Sequence, residues 1–316
     1  MKVIFVASGN KRVGKVSAFV QSQYDSLVDE GLEMVLFPVV GKGLKGHLKA
    51  ILSLRKVLKR EKPDIIHAHY SVCGYVATIA SIGLRLKVIV SILGSFPRRN
   101  LKQKIVRFFI KHVWTKTLVK SQRTAKQLSM NLPIIPNGVN LSQFSIVDYD
   151  NARKLCDFDK NKKYIIWCSN PERKEKRFNI AKEAVDRLGD SSVVLFPVYN
   201  RTHDEVVNYM CAADVMLLSS YSEGSPNVIK EAMACNCPIV SSNVGDVPER
   251  LLGLDGCFVL DEAPRYEEYD AELESMVTNI RLALDFNGRT KGRDRIINDK
   301  LTIELVADRI IELYKN

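Results

Sequence analysis

Two hydrophobic periods alternate along the chain. Short apolar runs recur at about 2–7, 34–39, 64–68, 87–92, 115–120 and 133–136. Between them, at about 14–30, 46–60, 72–84, 100–112 and 121–130, apolar residues return every three or four positions. Short continuous runs fit strands buried on both faces, and the longer periodic stretches fit amphipathic helices. Such alternation predicts a parallel sheet with helices on both sides. After Pro136-Asn-Gly-Val139 the pattern lapses into a polar stretch as far as Lys163, read here as a linker. A second series follows, with strands at about 163–168, 192–197, 214–219, 238–242 and 256–260 and helices near 177–188, 203–212, 226–235 and 247–252. Two more helical stretches, about 266–285 and 300–314, close the chain. The expected fold is α/β, with two doubly wound Rossmann-like domains facing a cleft and ligands at the C-terminal ends of the strands. The boundaries fall at 1–142 and 143–298, with a closing helix at 299–316 that packs back on the first domain.

Composition adds limits. A chain of 316 residues suits two domains. No apolar run reaches the roughly 18 residues of a membrane span, and Met1-Lys-Val-Ile-Phe-Val-Ala7 reads as a first strand, not a signal peptide. Seven scattered cysteines, an odd number, suggest reduced and mostly buried thiols in the cytoplasm. Cys235-x-Cys237 has neither the second pair nor the nearby His of a zinc site, so core packing is the reading.

Charge is uneven. Residues 1–140 hold 24 Lys+Arg against 6 Asp+Glu, a net of +18, and the remainder holds 23 against 30, a net of −7. Much of the excess lies in 42–62, where Glu61 is the single acid, and in 98–120, which has no acid. In the second segment Leu101, Ile105, Phe108, Phe109 and Val113 recur near helical spacing beside Trp114. A basic amphipathic helix suits an anionic membrane surface, hence a peripheral position on the inner face of the cytoplasmic membrane. A solvated helix packing its stripe on its own domain is the equal alternative. Nucleic acid is not expected, for want of an aromatic-rich RNA motif or a zinc finger.

The stretch Ser8-Gly-Asn-Lys-Arg-Val-Gly-Lys-Val-Ser17 nearly matches a Walker A loop. That loop needs a hydroxyl directly after its Lys to hold Mg²⁺. Here Val16 follows Lys15, and Ser17 is about 100° further round a helix. The weaker reading is a strand ending at Ala7 and a helix starting near Gly14, whose amides meet phosphate or sugar without a metal.

The chemistry concentrates in Ala213-Asp-Val-Met-Leu-Leu-Ser-Ser-Tyr-Ser-Glu-Gly-Ser-Pro-Asn-Val-Ile-Lys-Glu-Ala-Met-Ala-Cys-Asn-Cys-Pro-Ile-Val240. A strand, a turn at Ser222–Ser225 and a helix opening at Pro226 would aim the amides of Asn227, Val228 and Ile229 at an anion such as a diphosphate. Gly224 permits close approach. Glu223 and Glu231 flank this point, and a carboxylate there grips hydroxyl groups.

This segment closely resembles glycosyltransferase family 4, the retaining GT-B enzymes, whose mark is the Glu-x7-Glu pattern that Glu223 and Glu231 fit. Val244-Gly-Asp-Val-Pro-Glu249 is similar to the family's Gly-Gly-x-Pro-Glu loop, with Asp246 for the second Gly. Pro136-Asn-Gly-Val-Asn140 with Phe144 is similar to its interdomain motif, with Asn140 for Asp. Asn236 stands where the family usually has Gly, at the expected end of a helix.

The resemblance implies a nucleoside diphosphate sugar as co-substrate, UDP before GDP, with no cofactor and no metal. The donor is bound by residues 143–298, and residues 1–142 form the acceptor side. Arg173 and Lys176 would sit on the donor diphosphate, Glu223 on the sugar and Glu231 on the ribose. Gly14, Gly224, Ser225, Pro226, Asn227 and Val228 would line the donor. Lys15 or Arg12 would approach the phosphate or the acceptor. His69, in Asp64-Ile-Ile-His-Ala-His-Tyr70, would lie on the acceptor side, and His67 reads as structural. The implied activity is hexose transfer with retention to a glycan or lipid-linked acceptor, as in capsule, teichuronic acid or lipopolysaccharide assembly. Leu93 occupies the place of a family His near the donor sugar. Two alternatives stay open: a GT-B nucleotide-sugar epimerase, which Leu93 slightly disfavours, and a catalytically silent nucleotide-sugar-binding protein, which it favours.

Overall fold

Five of the first-half runs form one parallel sheet: β1 (Lys2–Ser8), β2 (Glu33–Val39), β3 (Ile65–His69), β4 (Lys87–Ile92) and β5 (Lys116–Val119), in the order β2-β1-β3-β4-β5. This is a computed structural model; it describes residues 1–9, 14–41, 43–94, 96, 101–264 and 269–316. Arg12, Lys42, Ser95, Arg98 and Arg99 lie outside the described residues. The chain divides into two units, Met1–Gly138 with Ile303–Asn316, and Val139–Thr302. Both sheets are wholly parallel, so crossover helices must cover both faces.

In the first unit these helices are α1 (Ala18–Asp29), α2 (Gly43–Glu61), α3 (Ser71–Ala80), α4 (Leu101–His112) and α5 (Gln122–Leu128). One sheet face, with Ile4, Val6, Ile66 and Val90, packs on Leu54 and Leu58 of α2 and Ala77 of α3. Gly74 lets α3 approach closely, since a Cβ there would fall 2.9 Å from the Trp114 ring. Two expectations change. The first helix begins at Ala18, not near Gly14, which adopts a left-handed φ of +67° within an irregular approach. Residues 133–136 make only an isolated bridge from Ile134 to Val119, because the prolines at both ends donate no N–H to a ladder.

The second unit holds β6 (Lys163–Trp167), β7 (Val193–Pro197), β8 (Val215–Leu218), β9 (Ile239–Ser241) and β10 (Cys257–Val259), in the order β10-β9-β8-β6-β7. The expected linker contains α6 (Tyr149–Leu155), capped by Asp148, whose side chain accepts from the Asn151 amide at 3.1 Å. Its Arg153 is buried and explains why a polar segment orders. The guanidinium donates to Asp214 (3.3 Å), Tyr149 Oη (2.8 Å) and the carbonyl of Lys162 (2.8 Å). The remaining helices are α7 (Phe178–Asp186), α8 (His203–Ala212), α9 (Asn227–Ala234), α10 (Val247–Leu251), α11 (Tyr269–Asp285) and α12 (Gly292–Asn298), the last not foreseen. Asn236 closes α9 with a left-handed φ of 54°, as its sequence position suggested.

The last helix, α13 (Ile303–Lys315), belongs to the first unit. Its Val306, Ala307, Ile310 and Tyr314 cover Val3, Phe5 and Ile65 on the second face of that sheet, beside α1. Among the described residues, no helix is long and apolar enough to cross a membrane.

Candidate functional site

Strand order locates the site in each unit. In the second sheet the chain reverses direction of growth between β6 and β8, so the loops after these strands part there and leave a crevice. Ser219, at the end of β8, ties the two loops together. Its Oγ accepts from Trp167 Nε1 at 3.0 Å and lies 2.9 Å from the carbonyl oxygen of Lys176. The Tyr221 amide donates to the Glu175 carbonyl at 2.9 Å. These bonds bring Lys176, in a 3-10 turn at Lys174–Lys176, against Glu223, with Nζ and Oε1 2.5 Å apart and both side chains largely buried.

Three neighbouring cations separate by what they hold. Arg177 is committed to structure: it donates to the Ser219 carbonyl at 2.7 Å and pairs with Glu272 of α11. Arg173 is exposed and pairs with Glu175 at 2.7 Å. Lys176 is therefore the cation the fold delivers to Glu223, and Arg173 stands on the rim.

α9 starts at Asn227, with Pro226 as the N-cap in an extended conformation and no side-chain acceptor from the cap. The positive end of the helix dipole meets the Glu223–Pro226 turn. Gly224, Ser225 and Pro226 are buried, and Asn227, Val228 and Glu231 are half-buried. Burial raises the Glu231 carboxyl above its ordinary pKa, opposed by the charges of Lys230 and His203. Gly245, at φ +58°, lies against this turn; a Cβ there would come 2.5 Å from the Gly224 carbonyl oxygen. Asp246 is buried and accepts from Ser225 Oγ at 2.9 Å. Sequence reasoning saw Asp246 only as a departure from Gly. The signal that finds its role is the pair Ser225 and Lys230, polar residues on a segment that must pack.

In the first unit the corresponding reversal lies between β1 and β3. Gly14 is half-buried and Lys15 exposed in the segment after β1. His67 is structural, as read: Nδ1 meets Tyr314 Oη at 2.5 Å and Nε2 meets Ser91 Oγ at 2.7 Å. Burial, with the charge of Lys120, pushes its pKa down to about 3. His69 departs from expectation. Two residues on from His67, it falls on the same face of the central strand, so its ring stacks on His67 (4.6 Å) and no atom reaches the surface. Neither of its ring nitrogens has a hydrogen-bond partner among the described residues. The next residue, Tyr70, is partly exposed and has φ 72°, ψ 147°, a region residues with a Cβ rarely occupy and one associated with functional turns. Sequence offers no sign of it.

Known proteins resemble this chain in sequence and in fold. The model of Glycosyltransferase Family 4 matches residues 11–143, and that of Glycosyl transferases group 1 matches 150–279. A Bacillus subtilis glycosyltransferase assigned to teichuronic acid biosynthesis, TuaC, is 26% identical over 237 residues, covering 65% of this chain and 60% of that relative. The UDP-Gal:alpha-D-GlcNAc-diphosphoundecaprenol alpha-1,3-galactosyltransferase of Escherichia coli is 24% identical over 314 residues, covering 84% of this chain and 79% of the relative. Among solved structures, Anabaena HepE in complex with UDP and glucose superposes with a TM-score of 0.72 at 15% identity, over 100% of this chain and 99% of that one. With a family model on each unit, both sheets parallel and that shared fold, the chain belongs to glycosyltransferase family 4 and is a GT-B glycosyltransferase.

Proposed function

We propose that the protein transfers a hexose-type sugar from a nucleoside diphosphate, UDP before GDP, to a glycan or lipid-linked acceptor in cell-surface polysaccharide synthesis, with retained anomeric configuration. The observation that carries this reading is the convergence of Lys176, Glu223 and the amino end of α9 at the β6/β8 switch point. A pyrophosphate at that helix end gains from the positive end of the helix dipole. As the glycosidic bond breaks, negative charge grows on the leaving phosphate, and Lys176, with Arg173 at the rim, stabilises it. In this reading the leaving phosphate accepts the acceptor's proton, Glu223 orients the sugar and Glu231 the ribose. Gly224, Ser225, Pro226, Asn227 and Val228 line the donor in the second unit, and Lys15 and Tyr70 serve acceptor recognition in the first. The names of the relatives support the substrate class: one transfers galactose from UDP-Gal to a diphosphoundecaprenol acceptor, and another is assigned to teichuronic acid.

The test is incubation with a panel of nucleotide sugars, with and without undecaprenyl-diphosphate-linked acceptors, read by mass spectrometry. Transfer or donor hydrolysis supports the reading. Sugar inversion at an internal carbon would mean an epimerase, and tight binding without turnover a silent protein, the outcome that Leu93 would favour.

We further propose that the first unit docks on anionic lipid. Leu101 (71% exposed), Ile105 and Phe108 (56%) form an exposed stripe on α4, flanked by Lys102, Lys104, Arg107 and Lys111. α2 repeats the pattern with Leu44, Leu48 and Leu52 exposed among lysines. Insertion of the stripes with lysines at the headgroups predicts flotation with anionic vesicles and little with neutral ones, the difference shrinking as salt rises. Equal recovery on both lipids removes the membrane from the reading.

A further inference from the structure

Beneath the donor turn runs a buried polar chain of which the proposed function uses only Ser225. Lys230, 1% exposed, extends back toward the start of its own helix and donates to Ser225 Oγ at 2.8 Å. Ser225 Oγ donates in turn to Asp246 Oδ2. Asp246 also accepts from Arg250 Nε at 3.1 Å, and Arg250 Nη1 donates to Asp299 at 2.9 Å, just past the end of α12. Two physical costs oppose this placement. A buried ammonium loses its hydration, and a cation within the first turns of a helix meets the dipole's positive end. Burial does lower the Lys230 pKa, with the Asp246 charge opposing the shift. Apolar side chains would fill the same space without either cost, so the network is not explained by packing.

What it holds is specific. Ser225 joins the Glu223–Gly224 turn to Pro226, which has no N–H to anchor that turn by a backbone bond. The Ser225 hydroxyl is engaged on both sides, as acceptor from Lys230 and donor to Asp246, so its position is fixed. The turn carrying Asp246 is itself pressed on the Gly224 carbonyl through Gly245. We propose that Lys230 and Asp246 are positioning residues that act through Ser225 to hold the Glu223–Pro226 turn in the shape that receives a nucleoside diphosphate, with the buried ammonium adding positive potential behind the pyrophosphate. The inference rests on the donor-site reading above. Lys230 has almost no surface of its own, so it touches no ligand.

The test is calorimetric titration of the full chain with UDP and with GDP, alongside thermal melts, for the wild type, Lys230→Met, Ser225→Ala and Lys230→Met/Ser225→Ala. Loss of a hydrogen bond to a charged group sets the expected scale: each single variant binds the nucleotide roughly tenfold more weakly. The double variant is no worse than the weaker single, because the residues act as one unit. In turnover, donor KM rises while kcat stays within about twofold, as removal of ground-state positioning requires. Folded Lys230→Met and Ser225→Ala proteins that bind like the wild type overturn the proposal and leave the donor site standing. A wild type that binds neither nucleotide overturns the donor site, and this proposal with it. If Lys230→Met does not fold, Asp246→Asn, which keeps the size of the side chain and leaves Ser225 in place, decides: weaker nucleotide binding supports the proposal and wild-type binding overturns it.

Discussion

Lys176→Met is expected to lower kcat for transfer by roughly 10²- to 10³-fold, the scale of removing one preorganised group from a site of developing negative charge. The stem of the side chain survives in Met, so packing changes little. Two effects combine and can be separated. The first is loss of the cation that meets charge growing on the leaving phosphate. The second is that Glu223, now without its partner at 2.5 Å, presents an uncompensated carboxylate to an anionic ligand and weakens donor binding. In Lys176→Met/Glu223→Gln the repulsion is gone, so donor affinity recovers while kcat stays low. Steady-state kinetics with a nucleotide titration distinguishes the two. Wild-type kcat/KM in Lys176→Met would take this residue out of the chemistry.

Arg153→Met carries the largest expected effect on stability. Arg153 and Asp214 are each less than a tenth exposed, and breaking a buried pair by removing one partner costs about 3–5 kcal/mol, mainly through the charge left behind. Asp214 keeps Lys163 Nζ at 3.3 Å, Tyr149 Oη at 3.0 Å and the Tyr164 amide at 2.7 Å, which places the loss toward the lower end, about 3 kcal/mol. The carbonyls of Asp159 and Lys162 also lose their donor. A fall in Tm of roughly 10 °C follows for a domain of this size. Nucleotide affinity of the folded fraction is expected to hold, because Asp214 precedes β8 and the donor turn follows it, at the opposite end of the strand. Differential scanning calorimetry with a binding assay measures both. A melt unchanged by the substitution would mean that the α6 segment contributes nothing to the fold.

The contrast between Lys176 and Arg177 shows what local sequence leaves open. Both sit in Glu172-Arg-Lys-Glu-Lys-Arg177, where charge and spacing are nearly equivalent. The residue that distinguishes them, Glu272, lies 95 positions away on α11 and holds Arg177 in an ion pair. α6 was hidden for a related reason. Seven residues show too little of a helical period, and Arg153, its buried contact, resembles a surface residue until Asp214 is brought beside it. His69 failed in the other direction. Its position at a strand end suggested exposure, but β3 is the central strand and α13 lies over that face, so the ring is enclosed.

Sequence alone determined the class of fold and singled out the segment on which the proposed chemistry is placed. Strand and helix periods report burial on a length scale of a few residues, and a Glu-x7-Glu segment opening a helix after a strand is a contiguous signature. Only the tertiary structure decided which cation meets Glu223, that Tyr70 and not His69 reaches the surface, and that Ser225 is held between Lys230 and Asp246. Those outcomes depend on side chains far apart in the chain competing for one partner in a low-dielectric interior. That competition is settled by packing geometry, which no local pattern of residues records.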